Sequence, residues 1–423
     1  MNSFRTLLGR AALILCAAPI MSWAQAAADA RGCAIAIGGA LKPDNADVWR
    51  RVVDSAGGAG ARFVVFASAS ENPEKSAAAI IQSLQKFGAV AEHIPVAVKL
   101  KSPAWRDAVR DPALIAKVKA SRGVYFAGGA QERITDVLLS DEGREMLAAI
   151  RDVQQRGGVI AGSSAGAAIM SATMFVDPQP VLDMLKFGVK PQQDIGKGLG
   201  FAGSGLIVDQ HFLKRGRFGR LLPALVHSGL KLGVGVDEDT AARFCGDEVE
   251  VFGAKGALVI DVSQASRDER LREFNVKNAR LSYLDRGDRY NLKTRVVTPS
   301  PEKQGDRRID PNAPGFKPYF SHTLFQTDIL GDTTVVAVMS HLIDGKQREV
   351  IGLAFDAVAL NDAAVPAARK PELGFEFRFS RTAESLGWFT SRFGGEDYTI
   401  ANIRVDVTPV TLARPLYRHR ASP

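Results

Sequence analysis

Short apolar runs alternate with amphipathic helical patterns from residue 33 onward. The apolar runs are CAIAIGG, ARFVVFASAS, AEHIPVAV and GVYFAGG, and helical periodicity fills DNADVWRRVVDSAG, PEKSAAAIIQSLQKFG, PALIAKVKAS and one long segment from Glu132 to Gly157. Apolar strands separated by amphipathic helices are typical of a parallel sheet that is covered on both faces. The pattern therefore predicts an α/β fold with a doubly wound, mostly parallel sheet.

Several glycine- or serine-rich turns follow the strand-like runs. The alternation continues through GLIVDQHF, KLGVGVDEDTAARF, EVEVFGAKGALVIDV and NARLSYLDRGDRYNL. In a doubly wound sheet the functional groups collect at the carboxyl ends of the strands. We therefore expect one crevice to gather the Gly38-Gly39 turn, the ASASENP turn, the Gly128-Gly129 turn and an elbow at residues 162–166.

The character of the chain changes after about residue 295. TPSPEKQGDRRIDPNAPGF is polar and rich in Pro and charge, as in a loop or linker. Beyond it, TTVVAVMS, REVIGLAFD, FEFRFS, GWFTS and YTIANIRVDVTPV have the composition of β-strands, and SHTLFQTDIL is a helical candidate. We predict an α/β domain over residues 27–295 and a β-rich extension over residues 296–423, whose role the sequence does not state.

Residues 1–26 have the features of a secretory signal peptide. A basic start and an apolar stretch from residue 11 precede AQA at residues 24–26, which has the small-x-small form of a cleavage site. Cys16 lacks the small preceding residues of a lipoprotein signal, and no later apolar run is long enough to span a bilayer. We expect a secreted mature chain of 397 residues (423 minus 26) that begins near Ala27.

Composition narrows the classes of function. Cys33 and Cys245 could pair in an oxidising compartment, but their apolar, strand-like surroundings favour two small buried thiols. No CxxC motif or His/Cys cluster indicates a metal, and we expect no cofactor. Removal of Arg5 and Arg10 lowers the net charge from +8 to +6, and the remaining bases are scattered among acids, which favours a solvated surface.

The segment GVIAGSSAGAAIM contains a candidate nucleophile. Gly162-Ser163-Ser164-Ala165-Gly166 has the G-x-S-x-G form with Ser164 at its centre, whereas Ser163 lacks glycines two residues to either side. In a nucleophile elbow, small flanking residues allow the sharp strand-to-helix turn that presents the serine hydroxyl. Because a strand-like run precedes this segment and a helix-like run follows it, the context favours this function over a chance match.

A serine nucleophile needs a base within hydrogen-bond reach and an acid that orients the base. Of the six histidines, His211 is the best placed, because GLIVDQHF puts it just past the end of a strand. GVGVDEDTA puts Asp237, Glu238 and Asp239 at another strand end, and alternation points Glu238 away from its two neighbours. One or two of these acids can therefore reach His211, although three acids in a row are otherwise typical of a solvated turn.

Five motifs together resemble a known family. GSSAGAAIMS, DQHFLKRGRFGRL, GVGVDEDTA, FAGGAQERI and IGGALKP are similar to motifs of the cyanophycinases, serine peptidases related to peptidase E. The resemblance covers roughly residues 33–290 and implies a glutamine-amidotransferase-like or flavodoxin-like α/β sandwich and a homodimer. The signal peptide and the long carboxyl extension resemble the secreted branch of the family.

The resemblance also assigns a catalytic triad. It makes Ser164 the nucleophile, His211 the general base and Glu238 the orienting acid. This order differs from that of the α/β-hydrolases, in which the acid precedes the histidine.

Further site residues follow from the same resemblance. The oxyanion hole would use backbone N–H groups of Ala165 and of the Gly128-Gly129 turn, because developing negative charge needs preorganised donors. The implied substrate-pocket positions are Gln131, Asp209, Gln210, Arg215, Arg217 and Arg220.

The implied substrate is cyanophycin, a poly-aspartate whose side-chain carboxyls are each amide-linked to arginine. It would be cut through an acyl-enzyme to β-aspartyl-arginine dipeptides. Asp209 would accept hydrogen bonds from a substrate guanidinium, and the arginines of KRGRFGR would pair with carboxylates. Two positions depart from the family pattern: Ser163 stands where threonine is more common, and Ala130 stands where an acid is more common.

Other classes of function are compatible with the same residues. One is a related peptidase for small aspartyl or isoaspartyl peptides, and another is a binding protein that keeps the fold without catalysis. Nucleic-acid binding is less favoured, because the chain has no clustered basic stripe with interleaved aromatics.

Overall fold

The computed structural model describes residues 32–392, 397–417 and 420, so the predicted signal peptide lies outside the described residues. The strands are β1 Ala34–Ile37, β2 Arg62–Phe66, β3 Val90–Ile94, β4 Gly123–Phe126, β5 Val159–Ser163, β6 Thr173–Phe175, β7 Ile195–Lys197, β8 Leu206–Asp209, β9 Leu232–Val236, β10 Thr240–Cys245, β11 Glu248–Gly253, β12 Ala257–Asp261, β13 Val276–Leu284, β14 Arg289–Asn291, β15 Val297–Thr298, β16 Arg308–Ile309, β17 Glu349–Ala354, β18 Leu373–Ser380, β19 Leu386–Thr390 and β20 Asp397–Thr411.

The helices follow the same chain order. The α-helices are α1 Ala46–Ser55, α2 Pro73–Lys86, α3 Trp105–Ala108, α4 Pro112–Ala120, α5 Glu132–Leu138, α6 Arg144–Gln155, α7 Ala165–Ala168, α8 Val181–Phe187, α9 Phe218–Ser228, α10 Thr334–Ile343 and α11 Ala357–Asn361, and 3-10 helices span Pro301–Lys303, Gly305–Arg307 and Ala367–Arg369. None of the helices in the described ranges combines the length and apolar character that a membrane crossing requires.

The first large sheet contains the parallel strands that the sequence predicts. Its nine strands have the order β15-β14-β11-β10-β1-β5-β4-β2-β3. Five neighbouring strands are parallel, in the spatial order β1, β5, β4, β2 and β3. On the other side of β1 the sheet continues with antiparallel strands β10, β11, β14 and β15. The predicted α/β fold class is therefore confirmed.

Both faces of the first sheet are buried. Ala34 and Ala36 of β1 face an apolar core that also contains side chains of α4, α6 and the second sheet, whereas Ile35 and Ile37 face a core with α1 and α2. A strand buried on both faces is apolar at every position, which explains the unbroken apolar run in CAIAIGG.

The second large sheet joins strands from before and after residue 295. Its order is β16-β19-β20-β13-β12-β9-β8, and β17 and β18 join it through β20. Side chains of β12, β13, β17, β18 and β20 share one apolar core with α8, α9 and α10. The β-rich carboxyl-terminal region is confirmed. Its boundary at residue 295 stays a prediction, since strands on both sides of that residue share a sheet and a core.

Two local predictions in the extension are wrong. TTVVAVMS, predicted as a strand, lies almost entirely in α10, and SHTLFQTDIL contains no helix. Apolar side chains around α10 are buried, and the Thr334 hydroxyl at its start donates to the carbonyls of Ile329 (2.6 Å) and Gly331 (3.0 Å). Burial on several sides therefore outweighs the β-propensity of its valines.

The single helical pattern predicted from Glu132 to Gly157 is divided into α5 and α6. The Ser140 hydroxyl accepts a hydrogen bond from the Gly143 amide (3.0 Å) and donates one to the Val137 carbonyl (2.8 Å). A serine that bonds to neighbouring backbone groups competes with helix continuation, so the chain turns there.

Cys33 and Cys245 form a disulfide, contrary to the favoured prediction of two buried thiols. Antiparallel pairing of β1 with β10 sets Ala34 opposite Phe244 and brings the cysteine Cα atoms to 4.7 Å. The sequence hid this pair, because 212 residues separate the two cysteines and only the folded sheet brings β1 beside β10. In a chain-entropy account, removal of such a cross-link costs roughly 2–5 kcal/mol of stability.

A buried lysine anchors the polar segment that begins the extension. Lys303 is fully buried, and its ammonium donates to Asp285 Oδ2 (2.7 Å) and Thr399 Oγ1 (3.0 Å) and lies 3.5 Å from Asp288 Oδ2. Burial raises the pKa of Asp288 to about 6, although the charge of Lys303 opposes that rise. The linker-like segment is thus fixed to the turn between β13 and β14 by an internal ion cluster.

We expect Lys303→Met to lower the free energy of unfolding at pH 7 by about 3–5 kcal/mol, because it leaves buried carboxylates without their cation. Asp288 binds more protons in the folded state than in the unfolded state, so the stability it contributes falls as pH rises from 3.8 through about 6. Because the charge of Lys303 lowers the pKa of Asp288, its removal raises that pKa further, so the variant gains more stability than the wild type at pH 5 and part of the loss should be recovered. Urea unfolding at both pH values measures this, and Lys317→Met, at an exposed lysine, is the control. Equal stability of the two variants would contradict the anchor.

Candidate active site

The carboxyl end of β1 holds three separate segments through consecutive carbonyl groups. The carbonyl oxygen of Ile37 accepts a hydrogen bond from the Ser164 amide (2.9 Å), and that of Gly38 accepts one from the His211 amide (2.7 Å). The carbonyl oxygen of Gly39 accepts one from the Asp239 amide (2.9 Å). One turn thus gathers the residues that follow β5, β8 and β9.

Ser164 lies on a sharp turn between β5 and α7. Its backbone has φ 54° and ψ −111°, a conformation that costs a non-glycine residue roughly 1–3 kcal/mol. The turn is also tightly packed, because a Cβ atom on Gly162 would lie 2.4 Å from the carbonyl oxygen of Gly166. The small residues of the G-x-S-x-G pattern therefore make this elbow possible and direct the Ser164 side chain outward from the sheet end.

Ser164, His211 and Glu238 form one chain of hydrogen bonds. Ser164 Oγ lies 3.0 Å from His211 Nε2, and His211 Nδ1 lies 2.6 Å from Glu238 Oε1. With the imidazole proton on Nδ1 donated to the carboxylate, Nε2 is free to accept the serine proton. The structure thus brings together the three side chains that the sequence analysis linked, in the order nucleophile, base and acid.

Gly39 is a site residue to which the sequence analysis gave no role. It has φ 104°, and a Cβ atom at this position would lie 2.3 Å from His211 Cε1 and 2.4 Å from Nε2. Any side chain here would displace the imidazole from Ser164. The motif IGGALKP carried the signal, but the contact depends on a fold that brings β1 and β8 together.

The three acids of DED have three different partners. Glu238 bonds to His211, as described above. Asp237 is fully buried, and its carboxylate accepts from the Lys214 amide (3.0 Å) and pairs with the Lys255 ammonium (2.9 Å). Asp239 accepts from the amide of Lys42 (3.0 Å) and the side chain of Asn45 (2.9 Å). The outer two acids therefore fix the loops on either side of the triad.

Backbone amides lie around the serine in the predicted oxyanion region. Gly128 contacts Ser164, since a Cβ atom on this glycine would lie 3.1 Å from Ser164 Cβ. Ala165 is the first residue of α7. Within the described part of the chain, no group accepts a hydrogen bond from the amides of Gly128, Gly129 or Ala165. The three amides are therefore uncommitted donors near the nucleophile, and their use as an oxyanion hole stays a prediction.

Asp209 and Arg220, two of the predicted pocket residues, are paired with each other. Both side chains are buried, and the Arg220 guanidinium donates to both carboxylate oxygens of Asp209 (2.6 and 2.8 Å). Arg220 also stacks on Phe175, with its Cζ 4.2 Å from the ring centroid. The bidentate pair satisfies both groups internally, and the assignment of Asp209 and Arg220 to the substrate pocket stays a prediction.

The other predicted pocket residues remain closer to the surface or keep polar atoms without partners. Arg215 is exposed and has no carboxylate partner within the described residues, whereas Arg217 donates to the Gln210 carbonyl (2.7 Å). Gln210 is buried, and its Oε1 has no hydrogen-bond partner within the described ranges. The Gln131 side-chain amide donates to the Val176 carbonyl. Among these residues, Gln210 and Arg215 thus have side-chain polar groups that remain available to bind a ligand.

The charge environment keeps His211 in its neutral form. Burial lowers the pKa of His211, the hydrogen bond to Glu238 opposes this, and the nearby charges of Arg215 and Arg217 lower it further. Burial also lowers the pKa of Arg217 to about 10, so this arginine remains a cation at neutral pH. A neutral imidazole that accepts from a serine hydroxyl is the form that general-base catalysis requires. Among the described residues, no group of three or more His, Cys, Asp or Glu could hold a metal ion.

A serine, a neutral histidine and a glutamate in a hydrogen-bonded chain at a sheet end are the arrangement of serine-type hydrolases. Residues 34–252, slightly more than half of the chain, match Peptidase family S51. The chain therefore belongs to peptidase family S51 and is a serine-type peptidase.

Known relatives cover somewhat more than half of the chain. It is 31% identical over 278 residues to a cyanophycinase of Trichormus variabilis, across 63% of this chain and 87% of that protein. It is 31% identical to a cyanophycinase of Geminocystis herdmanii, across 62% of this chain and 95% of that protein. A solved peptidase from an acI-B1 Actinobacterium is 20% identical, with a TM-score of 0.45, over 62% of this chain and 97% of that one.

We expect a fluorophosphonate probe to label Ser164 at a rate that falls at acid pH. Because labelling needs neutral His211 and the pKa of His211 is lowered, the midpoint of this acid limb should lie below pH 6.5, the ordinary pKa of histidine. The neutral form of His211 is lost as pH falls through its lowered pKa. Arg215→Gln removes a positive charge near His211, so its acid limb should move to higher pH. Labelling rates measured between pH 4 and pH 9 test both statements.

Lys214→Gln is the matched control, because the exposed Lys214 ammonium is paired with Asp332 (2.5 Å), whereas Arg215 has no carboxylate partner among the described residues. Its acid limb should move less than that of Arg215→Gln. An Arg215→Gln limb that moves to lower pH, or labelling that persists in Ser164→Ala, would contradict this electrostatic account.

Proposed function

We propose that the protein is a secreted serine exopeptidase that hydrolyses cyanophycin to β-aspartyl-arginine dipeptides. The observation that carries the proposal is the hydrogen-bonded chain from Ser164 through His211 to Glu238. The substrate is proposed from the relatives, which are cyanophycinases 31% identical to this chain over 278 and 277 residues.

The proposed reaction has two halves. Ser164 Oγ attacks the carbonyl carbon of the scissile amide while His211 Nε2 takes the hydroxyl proton, and the negative charge that develops on the carbonyl oxygen is met by backbone amides of Ala165 and the Gly128-Gly129 turn. The C–N bond then breaks, and His211 gives the proton to the leaving amine. Water, deprotonated by His211, attacks the acyl-enzyme, and His211 then gives that proton to Ser164 Oγ as the ester C–O bond breaks and the acid product leaves.

Glu238 is proposed as the positioning acid. Its carboxylate accepts the Nδ1 proton of His211, fixes the tautomer and stabilises the imidazolium that forms in each half-reaction. Its neighbours are bound to other loops, which leaves Glu238 as the acid of DED that reaches the imidazole.

The charges around the triad suit a zwitterionic polymer. Each arginine of the proposed substrate carries a free carboxylate and a guanidinium, so a binding surface must offer both cations and acceptors. Arg215 is exposed beside His211 and suits a carboxylate, and Gln210 Oε1 is a buried acceptor without a described partner. We propose that these two residues contact the substrate.

Clearing of insoluble cyanophycin tests the proposal. We expect the rate to fall by about 10⁶-fold in Ser164→Ala and His211→Ala, and by about 10⁴-fold in Glu238→Gln, which keeps the shape of the acid but loses its charge. Released dipeptide is measured by chromatography. Ser163→Ala, at the adjacent serine, is the matched control and should retain most of the wild-type rate.

The outcomes separate the competing functions. Wild-type activity on small aspartyl or isoaspartyl dipeptides without activity on the polymer would replace the polymer assignment by a small-peptide peptidase. An active Ser164→Ala enzyme would overturn the mechanism. Polymer binding without release of any product would favour a binding protein on this fold.

Secretion is a second part of the proposal. The sequence of residues 1–26 has signal-peptide features, and the disulfide between Cys33 and Cys245 suits an oxidising compartment. We expect intact mass and amino-terminal sequencing of the exported protein to show a chain that begins near Ala27 and does not react with a thiol reagent. A chain that keeps residues 1–26 and carries three free thiols, at Cys16, Cys33 and Cys245, would contradict secretion.

A further inference from the structure

A basic pocket of about 340 Å³ lies apart from the triad, between α8, α9 and the segment before β13. Its apolar walls include Phe187, Pro223, Val226 and Phe274. Lys370, which follows the last 3-10 helix of the extension, closes one side. The extension therefore contributes part of this pocket.

The ionisable side chains that line the pocket are all basic in type. They are Lys186, His227, Arg267, Arg272 and Lys370. Lys370 is paired with Glu273, its Nζ lying 3.1 Å from Oε1. Within the described ranges, the other four have no carboxylate within 4 Å. Cations that converge on one concave surface repel one another and are stabilised by an anion bound between them.

Lys186 makes the strongest case for a missing anion. The residue is 5% exposed, and its ammonium makes one hydrogen bond, to the carbonyl of Lys370 (3.0 Å). Burial lowers its pKa, and the carboxylates of Asp183, Asp356 and Glu372, each farther away than an ion pair, oppose that effect. An ammonium has three donors, and a buried charge is ordinarily paired, so two donors of Lys186 need acceptors that the described residues do not provide.

We propose that this pocket binds a small anion, either a carboxylate or a phosphate, with Lys186 at its base and Arg267 and Arg272 at its rim. The two arginines have planar donor groups that suit both kinds of oxyanion. The buried ammonium supplies the charge-assisted hydrogen bond at the inner end. The apolar walls leave room for a short carbon chain attached to the anionic group.

The basic pocket is separate from the triad but is connected to it by α9. α9 begins beside the Asp209 and Arg220 pair and reaches the pocket at His227, seven residues beyond Arg220. Seven residues of α-helix correspond to about 10 Å. A ligand in the pocket would thus contact the far end of the helix whose first turn supports the His211 loop.

Thermal unfolding of the full-length protein tests the site with defined probes. Sodium phosphate and sodium malonate are titrated separately, with sodium chloride at equal ionic strength as the reference. We expect at least one of the two anions to raise the unfolding midpoint saturably, because a ligand that binds only the folded state stabilises it. Whichever anion binds more tightly distinguishes a phosphate ligand from a carboxylate ligand.

Variants locate the effect. Arg272→Gln changes an exposed side chain, and Lys186→Met changes the buried one; each should weaken anion binding by about tenfold or more. Lys190→Met is the matched control, because Lys190 is exposed and does not line the pocket, and it should bind as wild type does. Equal midpoints in chloride, phosphate and malonate would overturn the proposal, as would an unchanged response in Arg272→Gln. Ser164→Ala should bind the anion normally, so the result is independent of catalysis.

Discussion

The hydrogen bonds at the carboxyl end of β1 are the constraint on which the rest of the site depends. Three consecutive carbonyls, from Ile37 to Gly39, accept from the amides of Ser164, His211 and Asp239. Ser164, His211 and Asp239 each have a positive φ, so each is held in a backbone conformation that its residue type seldom adopts alone. The scaffold that imposes this strain is a strand buried on both faces, joined to β10 by a disulfide at its amino end.

Much of this site could be predicted from the sequence, because its main signals are local. The elbow around Ser164 is indicated by the spacing of small residues in the sequence. His211 and Glu238 each come shortly after an apolar run that is typical of a strand. The pairing of Asp209 with Arg220 was missed for a physical reason: a motif shows that an acid and a base are near each other along the chain, but their burial decides whether they face a ligand or one another. The disulfide and the contact of Gly39 with His211 join distant segments, so no local pattern shows them.

The extension illustrates the same division between local and nonlocal information. The composition of its long strands predicts them, whereas the same criterion wrongly predicts a strand at α10, because its valines favour β-structure and only its surroundings make it a helix. The polar segment around Lys303 resembled a free linker, yet it inserts a cation between two buried acids. The extension is thereby part of the packed body of the protein, and through Lys370 it also reaches the basic pocket.

Mounting the triad segments on one strand end has a mechanical consequence. If the end of β1 shifts, the segments that carry Ser164, His211 and the acid shift with it as one unit, and the distances between them change little. Three groups supported by three independent loops would instead lose alignment whenever any one loop moved. Thermal motion at the end of β1 thus moves the three catalytic groups together. The proton transfer from serine to histidine depends on the distance between the two groups, which such a common displacement leaves unchanged.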